Sequence, residues 1–106
     1  GFHNCAVDKS STLWCWGLNN WGQLGYYKDA GDKSLSPTAV TLVSNVSDVA
    51  CGLEHTCALL RNGSVFCFGN NFHGQLGIGR TSSGFDYGLV ASTIMKNVTI
   101  IKSGNQ

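Results

Sequence analysis

Cysteine and histidine residues give this sequence its clearest candidates for chemistry. Four cysteines form two pairs with the same spacing of ten residues, Cys5 with Cys15 and Cys57 with Cys67. Each pair could form a disulfide, bind zinc together with His3 and His55, or remain as buried thiols. Zinc ligands usually lie about two to four residues apart on a turn, whereas this spacing across two paired strands suits a disulfide. We therefore favour two disulfides and predict no bound metal ion.

Cys51 is the fifth cysteine and has no partner at the same spacing. The corresponding position in the second half of the chain is Ser103, so this thiol does not belong to the repeated pairs. An odd cysteine can bond to a neighbouring unit or chain, or it can remain a free thiol. Both interpretations stay open for Cys51.

Three Asn-x-Ser/Thr triplets could accept N-linked glycans, at Asn45, Asn62 and Asn97. Asn45 and Asn97 occupy corresponding positions of the two halves, and Asn62 lies in a predicted hairpin turn. The alternative is that Asn-Val, at Asn45 and Asn97, is simply the repeated start of a strand. We favour glycosylation, which would keep a surface with few charges soluble.

Residues for enzyme catalysis or cofactor binding are not grouped in this sequence. A catalytic site needs a nucleophile with a base, paired carboxylates or a metal cluster. Gly-Gln-Leu-Gly occurs at residues 22–25 and 74–77, but no Lys-Ser/Thr follows it, as a phosphate loop would require. We interpret it as a turn in which glycine permits positive φ and Gln23 or Gln75 bonds to the backbone. We predict no enzyme, no catalytic residues and no cofactor.

An internal repeat organises the whole chain. Identical or similar residues recur at an offset of 52 positions without a gap. The 106 residues therefore divide into a first unit at 1–52 and a second unit at 53–106, which includes the first two residues of another unit. Repeat arrays need more than two units and terminal caps, so we interpret the chain as an excerpt of a longer array.

Each unit is predicted to fold as about four β-strands, with no helical period. Short apolar runs at residues 3–7 and 13–17 flank a polar turn, which is typical of a hairpin. This pairing places Cys5 opposite Cys15, and Asn62-Gly63 turns the corresponding hairpin of the second unit. Further strands are predicted at residues 39–43 and 46–50, and again at 91–95 and 98–102. Variable, polar segments at 26–36 and 78–88 are predicted as exposed loops.

The repeated motifs resemble those of the regulator of chromosome condensation repeat. The resemblance rests on His-Thr-Cys-Ala-Leu, Asn-Gly-Ser-Val-Phe-Cys-Phe-Gly-Asn-Asn and Gly-Gln-Leu-Gly-Ile-Gly within residues 55–79, and on their in-phase counterparts in the first unit. It implies an all-β fold of four-stranded antiparallel propeller blades, about seven of which would close a ring. Members of this family share a protein-binding scaffold whose loops carry the function.

The charge balance limits the partners of this chain. Only 12% of residues are charged and the formal net charge is +1, so no clustered cationic surface for nucleic acid is expected. No apolar run approaches the length of a membrane span, so no membrane insertion is expected. The remaining predicted partners are neighbouring repeats or identical chains, N-linked glycans and a protein ligand.

Three functions fit these observations. The favoured hypothesis is a non-enzymatic structural module of an extracellular or cell-surface, N-glycosylated scaffold or filament. The alternative is a closed propeller ectodomain that binds a protein or peptide through loops such as 26–32 and 83–87. The third is an intracellular exchange-factor or ubiquitin-pathway propeller, in which the cysteines would be reduced and the glycosylation triplets unused.

Overall fold

The computed structural model describes residues 2–26 and 33–90 of the chain. These residues form two antiparallel sheets, which confirms the predicted all-β fold. The seven strands are β1 (His3–Val7), β2 (Leu13–Leu18), β3 (Lys33–Ala39), β4 (Val46–Cys51), β5 (His55–Leu60), β6 (Val65–Asn70) and β7 (Phe85–Leu89). Within the described residues, no helix is long and apolar enough to cross a membrane.

Each sheet is built around one β-hairpin. The first sheet has the order β1-β2-β3, and the second has the order β4-β5-β6-β7. In the first hairpin Cys5 lies opposite Cys15, and in the second Cys57 lies opposite Cys67. The predicted hairpin register is therefore confirmed in both units.

The two hairpins turn with different chemistry. In the first, the Asp8 carboxylate accepts two backbone N–H groups of its own turn, and Ser11 adopts a φ of 64°. In the second, the Asn62 side chain accepts a backbone N–H, and Gly63 adopts a φ of 92°. Glycine suits such turns because it adopts positive φ at no steric cost. Short polar side chains suit them because they accept hydrogen bonds from the backbone of the turn.

The third strand differs from its prediction. An apolar run predicts a strand at residues 39–43, but β3 spans Lys33–Ala39, directly before most of that run. β3 is an edge strand, where a polar sequence and Pro37 are tolerated. The run that follows supplies the core instead, since Val40 is buried and Leu42 and Val43 pack against it.

β7 was also missed by the sequence pattern. It pairs with β6 within the segment 78–88 that the sequence analysis assigns to an exposed loop. The offset of 52 relates it to β3, so both edge strands are polar for the same reason. The predicted strands at 91–95 and 98–102 lie outside the described residues.

The sheets are staggered with respect to the sequence repeat. β4 occupies the end of the first sequence unit, and it pairs with β5 of the second unit. It also packs beside β1, so it contacts both sheets. The hydrogen-bonded sheets therefore separate in the connection at residues 40–45, whereas the division at 1–52 and 53–106 remains a prediction about the sequence repeat.

One apolar core joins the two sheets, and a smaller one lies within the second sheet. The shared core consists of buried side chains from both units: Leu13, Cys15, Leu24, Val40, Val46, Ala58 and Phe68. The smaller core contains Leu59, Val65, Cys67 and Leu76. Each side chain of this size that leaves water stabilises the fold by about 1.5–3 kcal/mol. The shared core holds the sheets in a fixed relation, and this relation positions the loops that follow β2 and β6.

Candidate protein-interaction surface

The Gly-Gln-Leu-Gly turns follow β2 and β6 and form the base of two corresponding loops. Gln23 accepts the backbone N–H of Trp21 at 2.8 Å, and Gln75 accepts that of His73 at 2.9 Å. Gly22 and Gly74 have φ values of 74° and 72°, in the left-handed region that glycine favours. The predicted structural role of this motif is confirmed in both loops.

Asn19 and Asn71 stabilise the same two loops through buried side-chain hydrogen bonds to the loop backbone. The sequence analysis did not assign them this role. Asn71 accepts the N–H of Leu76 at 3.2 Å and donates to the carbonyl of Arg80 at 2.8 Å. Asn19 accepts the N–H of Leu24 at 2.9 Å. Both side chains are fully buried. Their recurrence one period apart was the available signal for this role.

The two loops pack against each other across the boundary between the sheets. The ring of Phe85, at the start of β7, lies directly against Gly22, where any Cβ atom would overlap it. Gly84 lies beside the indole of Trp21. The N–H of Asn71 also bonds to the carbonyl of Gly84 at 2.9 Å. The second loop is therefore fixed both internally and against the first loop.

Four exposed side chains of the second loop and β7 form what we call the loop surface: Phe72, His73, Arg80 and Tyr87. Phe72 is 57% exposed and Tyr87 is 47% exposed, although both are large aromatic residues. The Phe72 and His73 rings meet edge to face with centroids 5.0 Å apart. Exposed aromatic side chains on a rigid support are typical anchors of protein interfaces.

An ion pair orients one end of the loop surface. The Arg80 guanidinium donates two hydrogen bonds to the Asp86 carboxylate, at 2.7 and 2.8 Å. It also donates to the carbonyl of Tyr87 at 3.2 Å. These bonds hold the pKa of Asp86 well below its usual range and raise that of Arg80. The guanidinium is thereby held at the backbone of Tyr87.

A buried polar chain links the two sheets below the loops. Thr56 donates its hydroxyl proton to the carbonyl of Gln23 at 2.7 Å, and its oxygen lies 2.7 Å from Nε2 of His3. Because the threonine proton is already used, His3 carries its own proton on Nε2 and donates it to Thr56. Burial and the nearby His55 lower the pKa of His3 to about 4. The imidazole is therefore neutral at neutral pH.

The structure places the predicted cysteines in two different states. Cys5 is bonded to Cys15, and Cys57 to Cys67, with Cα atoms 4.1 Å apart in each pair. Cys51 is a free thiol at the end of β4, and burial raises its pKa to about 11. A high pKa keeps this thiol mostly protonated at neutral pH, so that it reacts slowly.

The predicted glycosylation sites have other structural explanations where the structure describes them. Asn45 is exposed with a φ of 55°, which asparagine tolerates better than most residues, and its carbonyl accepts the N–H of Arg61. Asn62 is exposed and closes the second hairpin turn through its own side chain. Asn97 lies outside the described residues. Glycosylation of these asparagines stays a prediction.

Comparison with protein families identifies the repeat. Two sequence profiles of the regulator of chromosome condensation (RCC1) repeat match the chain, one over residues 10–59 and one over residues 46–75. Together they span residues 10–75, more than half of the chain. This agrees with the expectation drawn from the repeated motifs.

Curated relatives are much longer than this chain. The probable E3 ubiquitin-protein ligase HERC3 of Homo sapiens is 33% identical over all of this chain, which spans 10% of that protein. Protein RCC2 of Mus musculus is 42% identical over 73% of this chain, which spans 15% of that protein. The X-linked retinitis pigmentosa GTPase regulator homolog of Caenorhabditis elegans is 36% identical over 73% of this chain.

Solved structures show the same fold. Human WBSCR16 superposes with a TM-score of 0.77 at 24% identity, over 99% of this chain and 27% of that one. Yeast RCC1 (Prp20) in its complex with Kap60 superposes with a TM-score of 0.69, also at 24% identity, over 96% of this chain and 24% of that one. This likeness supports propeller blades as the architecture.

The relatives correct the predicted location. Glycosylation triplets and cysteine pairs led to an extracellular or cell-surface prediction, which is wrong because these relatives are intracellular, nuclear or cytoplasmic proteins. The triplets were a poor indicator of location, because the backbone geometry of the turns is enough to explain why asparagine occurs at positions 45 and 62. The cysteine pairs indicated the compartment no better, because they follow from the hairpin register, in which the two cysteines of each pair face each other. The chain belongs to the RCC1 repeat family and forms two neighbouring blades of an RCC1-type β-propeller.

Proposed function

We propose that this chain contributes two neighbouring blades to a closed intracellular propeller that binds a protein partner through the loop surface. The observation that carries this proposal is the combination of a fixed loop with exposed Phe72 and Tyr87. A preorganised loop loses little conformational freedom on binding, so exposed aromatic rings on it can contribute most of their contact energy.

The placement of the loops supports a single binding face. The loops after β2 and β6 lie against each other across the boundary between the sheets. Further blades of a ring would place their corresponding loops next to these in the same manner. A partner could then contact several blades at once. A relative with this fold, yeast RCC1, binds a protein, since it is bound to Kap60 in a solved structure.

A non-enzymatic role fits the chemistry of the loop surface. RCC1-repeat proteins are typically non-enzymatic regulators, whereas HERC relatives are E3 ligases with many domains. On the loop surface, Arg80 is held by Asp86 and His73 packs on Phe72. These groups are arranged for contact, and we propose that they bind rather than catalyse.

Substitution of the aromatic residues tests the proposal. Partners of the full-length protein are identified by affinity purification and then measured against purified Phe72→Ala/Tyr87→Ala protein. We expect affinity to fall by at least tenfold. Lys9→Ala is the control, because Lys9 is exposed in the turn between β1 and β2, at the opposite end of β2 from the loop that follows it. Equal binding by the double variant and the wild type would refute the loop surface as the binding site.

A second candidate function is a partner-binding propeller within a HERC-type ubiquitin ligase. It is favoured by the match to human HERC3 along this entire chain and to mouse HERC4 over 97% of it. Ubiquitin transfer by the full-length protein would support this candidate. Substitution at the loop surface should then reduce ubiquitination of the bound partner without reducing ubiquitin loading of the ligase.

A further inference from the structure

Three potential metal ligands meet where β1 of the first sheet packs beside β4 of the second. A ring nitrogen of His3 and the sulfur atoms of Cys5 and Cys51 all lie within 4.8 Å of one another. His3 is 93% buried, given its exposure of 7%, and the two cysteines are half-buried. Three nitrogen and sulfur donors at this separation need only small side-chain rotations to surround one ion.

The His3 ring offers a lone pair that the protein does not use. Its Nε2–H donates to Thr56, so Nδ1 is unprotonated, and Nδ1 is buried without a hydrogen-bond partner. A buried acceptor without a partner destabilises the fold and requires an explanation. A metal-binding histidine has this same arrangement, in which the second nitrogen donates to a fixed acceptor.

We propose that His3, Cys5 and Cys51 bind one Zn²⁺ ion when the disulfide between Cys5 and Cys15 is reduced. Reduction by a thiol of the glutathione or thioredoxin class transfers two electrons and two protons to this disulfide. Cys5 and Cys15 become thiols, and the reductant becomes a disulfide. Zn²⁺ then displaces the protons of Cys5 and Cys51, which pass to solvent.

Zinc is the ion that fits this donor set. It prefers four ligands in a tetrahedron and accepts thiolate sulfur and neutral imidazole nitrogen. Cys15 is released next to Cys5 and can supply the fourth ligand. Cysteine binds zinc as the thiolate, so zinc binding removes the thiol protons of its cysteine ligands. Reducing compartments, where intracellular proteins keep their cysteines as thiols, provide the required state.

The second unit provides a natural comparison for this site. It repeats the histidine and the cysteine pair at His55, Cys57 and Cys67, but Ser103 replaces the third cysteine. Cys51 is therefore the residue that distinguishes a zinc site from a plain disulfide. The variant Cys51→Ser gives the first unit the residue pattern of the second.

Metal analysis of the full-length protein tests the proposal. Oxidised and reduced samples are incubated with Zn²⁺, desalted and measured for zinc per chain. We expect one additional zinc ion in the reduced sample and none at this site in the oxidised sample. Cys51→Ser should lower the affinity by at least tenfold, whereas Cys57→Ser/Cys67→Ser should bind like the wild type. Equal zinc binding by Cys51→Ser and the wild type would overturn the proposal, as would its loss in the double variant.

Two further measurements keep the test independent of folding defects. In the unaltered reduced protein, Zn²⁺ should protect Cys51 from alkylation, as mapped by mass spectrometry, and Co²⁺ should give the absorption of a tetrahedral thiolate site. Thr56→Val removes the acceptor of His3 and should weaken binding about 10–100-fold, while Thr56→Ser should restore it. Alkylation of Cys51 at the same rate with and without zinc contradicts the site.

Discussion

The two hairpins share a register and a disulfide position, yet their turns have different surroundings. The turn of the first hairpin is covered by the second sheet, since Ser11 is buried, its carbonyl accepts the N–H of Val46 in β4, and its hydroxyl accepts a hydrogen bond from Arg61, next to β5, at 2.7 Å. At Gly63, the corresponding position of the second hairpin, a Cβ atom would meet nothing within 4 Å of the described structure. The same turn therefore serves as a contact between units in one place and as a simple reversal in the other.

This difference separates two kinds of requirement on a repeat. Some positions are fixed by the geometry of the hairpin itself and must be satisfied in every unit. Others are fixed by the neighbouring unit, and their residue type changes with the contact. The predictions below are designed to distinguish the two kinds, because substitutions of the first kind should have equal effects in both units.

Gly69→Ala is expected to have the largest effect. Gly69 has a φ of 127°, and an added Cβ atom would lie 2.5 Å from the carbonyl oxygen of Glu54. Since backbone cannot easily move, we expect unfolding to become easier by about 3 kcal/mol or more. Gly17→Ala, at the matched position, should cost a similar amount. Both can be measured by urea denaturation.

Gly63→Ala is the control for that experiment. Its φ of 92° is also unfavourable for alanine, but the space around it is open. A cost of about 1 kcal/mol is expected from backbone conformation alone. If Gly63→Ala cost as much as Gly69→Ala, close backbone approach would not be the cause at Gly69.

Removal of either disulfide should have an intermediate effect. Each bridge joins residues ten positions apart, so its loss releases about 2.5–3 kcal/mol of chain entropy in the unfolded state. We expect Cys5→Ser/Cys15→Ser and Cys57→Ser/Cys67→Ser to lower oxidised stability equally. The difference from the wild type should disappear in reductant without metal. Unequal losses in oxidised protein would show that the first hairpin depends on its neighbour for more than its turn.

Acid should weaken the contact between the sheets before it affects the rest of the fold. The pKa of His3 is about 4 in the folded protein and near 6.5 when unfolded. Between these values only the unfolded chain gains the proton, so stability is complete above about pH 6.5 and falls towards pH 4. We expect a loss of about 1–3 kcal/mol in denaturant titrations across this range.

His3→Gln should flatten that pH dependence. The pKa of His55 is also lowered by burial, so a residual slope is expected in His3→Gln. An unchanged slope in His3→Gln would exclude His3 as the titrating group.

The smallest effect is expected from the hydrogen bond between Ser11 and Arg61. It lies at the boundary between the units and is partly exposed, so its net contribution should be about 1 kcal/mol. A double-mutant cycle with Ser11→Ala and Arg61→Ala measures it directly. A coupling energy near zero would mean that the first turn is held only by its backbone contact with Val46.

Sequence patterns predicted the parts of this fold that repeat and carry distinctive residues. The period of 52 could be predicted because identical residues recur along the chain. The hairpin register and the turns bonded by Gln23 and Gln75 could be predicted because each depends on residues close in sequence. β3 and β7 were not, since edge strands bond through backbone atoms and tolerate polar side chains. The apolar run near Val40 was misread as a strand because burial in a connection leaves the same pattern.

The candidate surface was only partly predictable. Exposed aromatic loop residues could be anticipated, but their support by Asn19 and Asn71 depends on contacts that no local pattern specifies. The meeting of His3, Cys5 and Cys51 depends on how β1 packs beside β4. Residues separated by almost a full period come together only through that packing.

The stagger between sheets and sequence units determines where this chain can be divided. A break between residues 52 and 53 would leave β4 covalently attached to one piece and hydrogen-bonded to the other, so the pieces would stay associated through a shared sheet. A break within residues 40–45 would leave every described sheet intact. The connection at residues 40–45 is therefore the structural boundary between the two sheets. Proteolysis, or the exchange of blades between relatives, should separate the sheets there rather than at the edge of the sequence repeat.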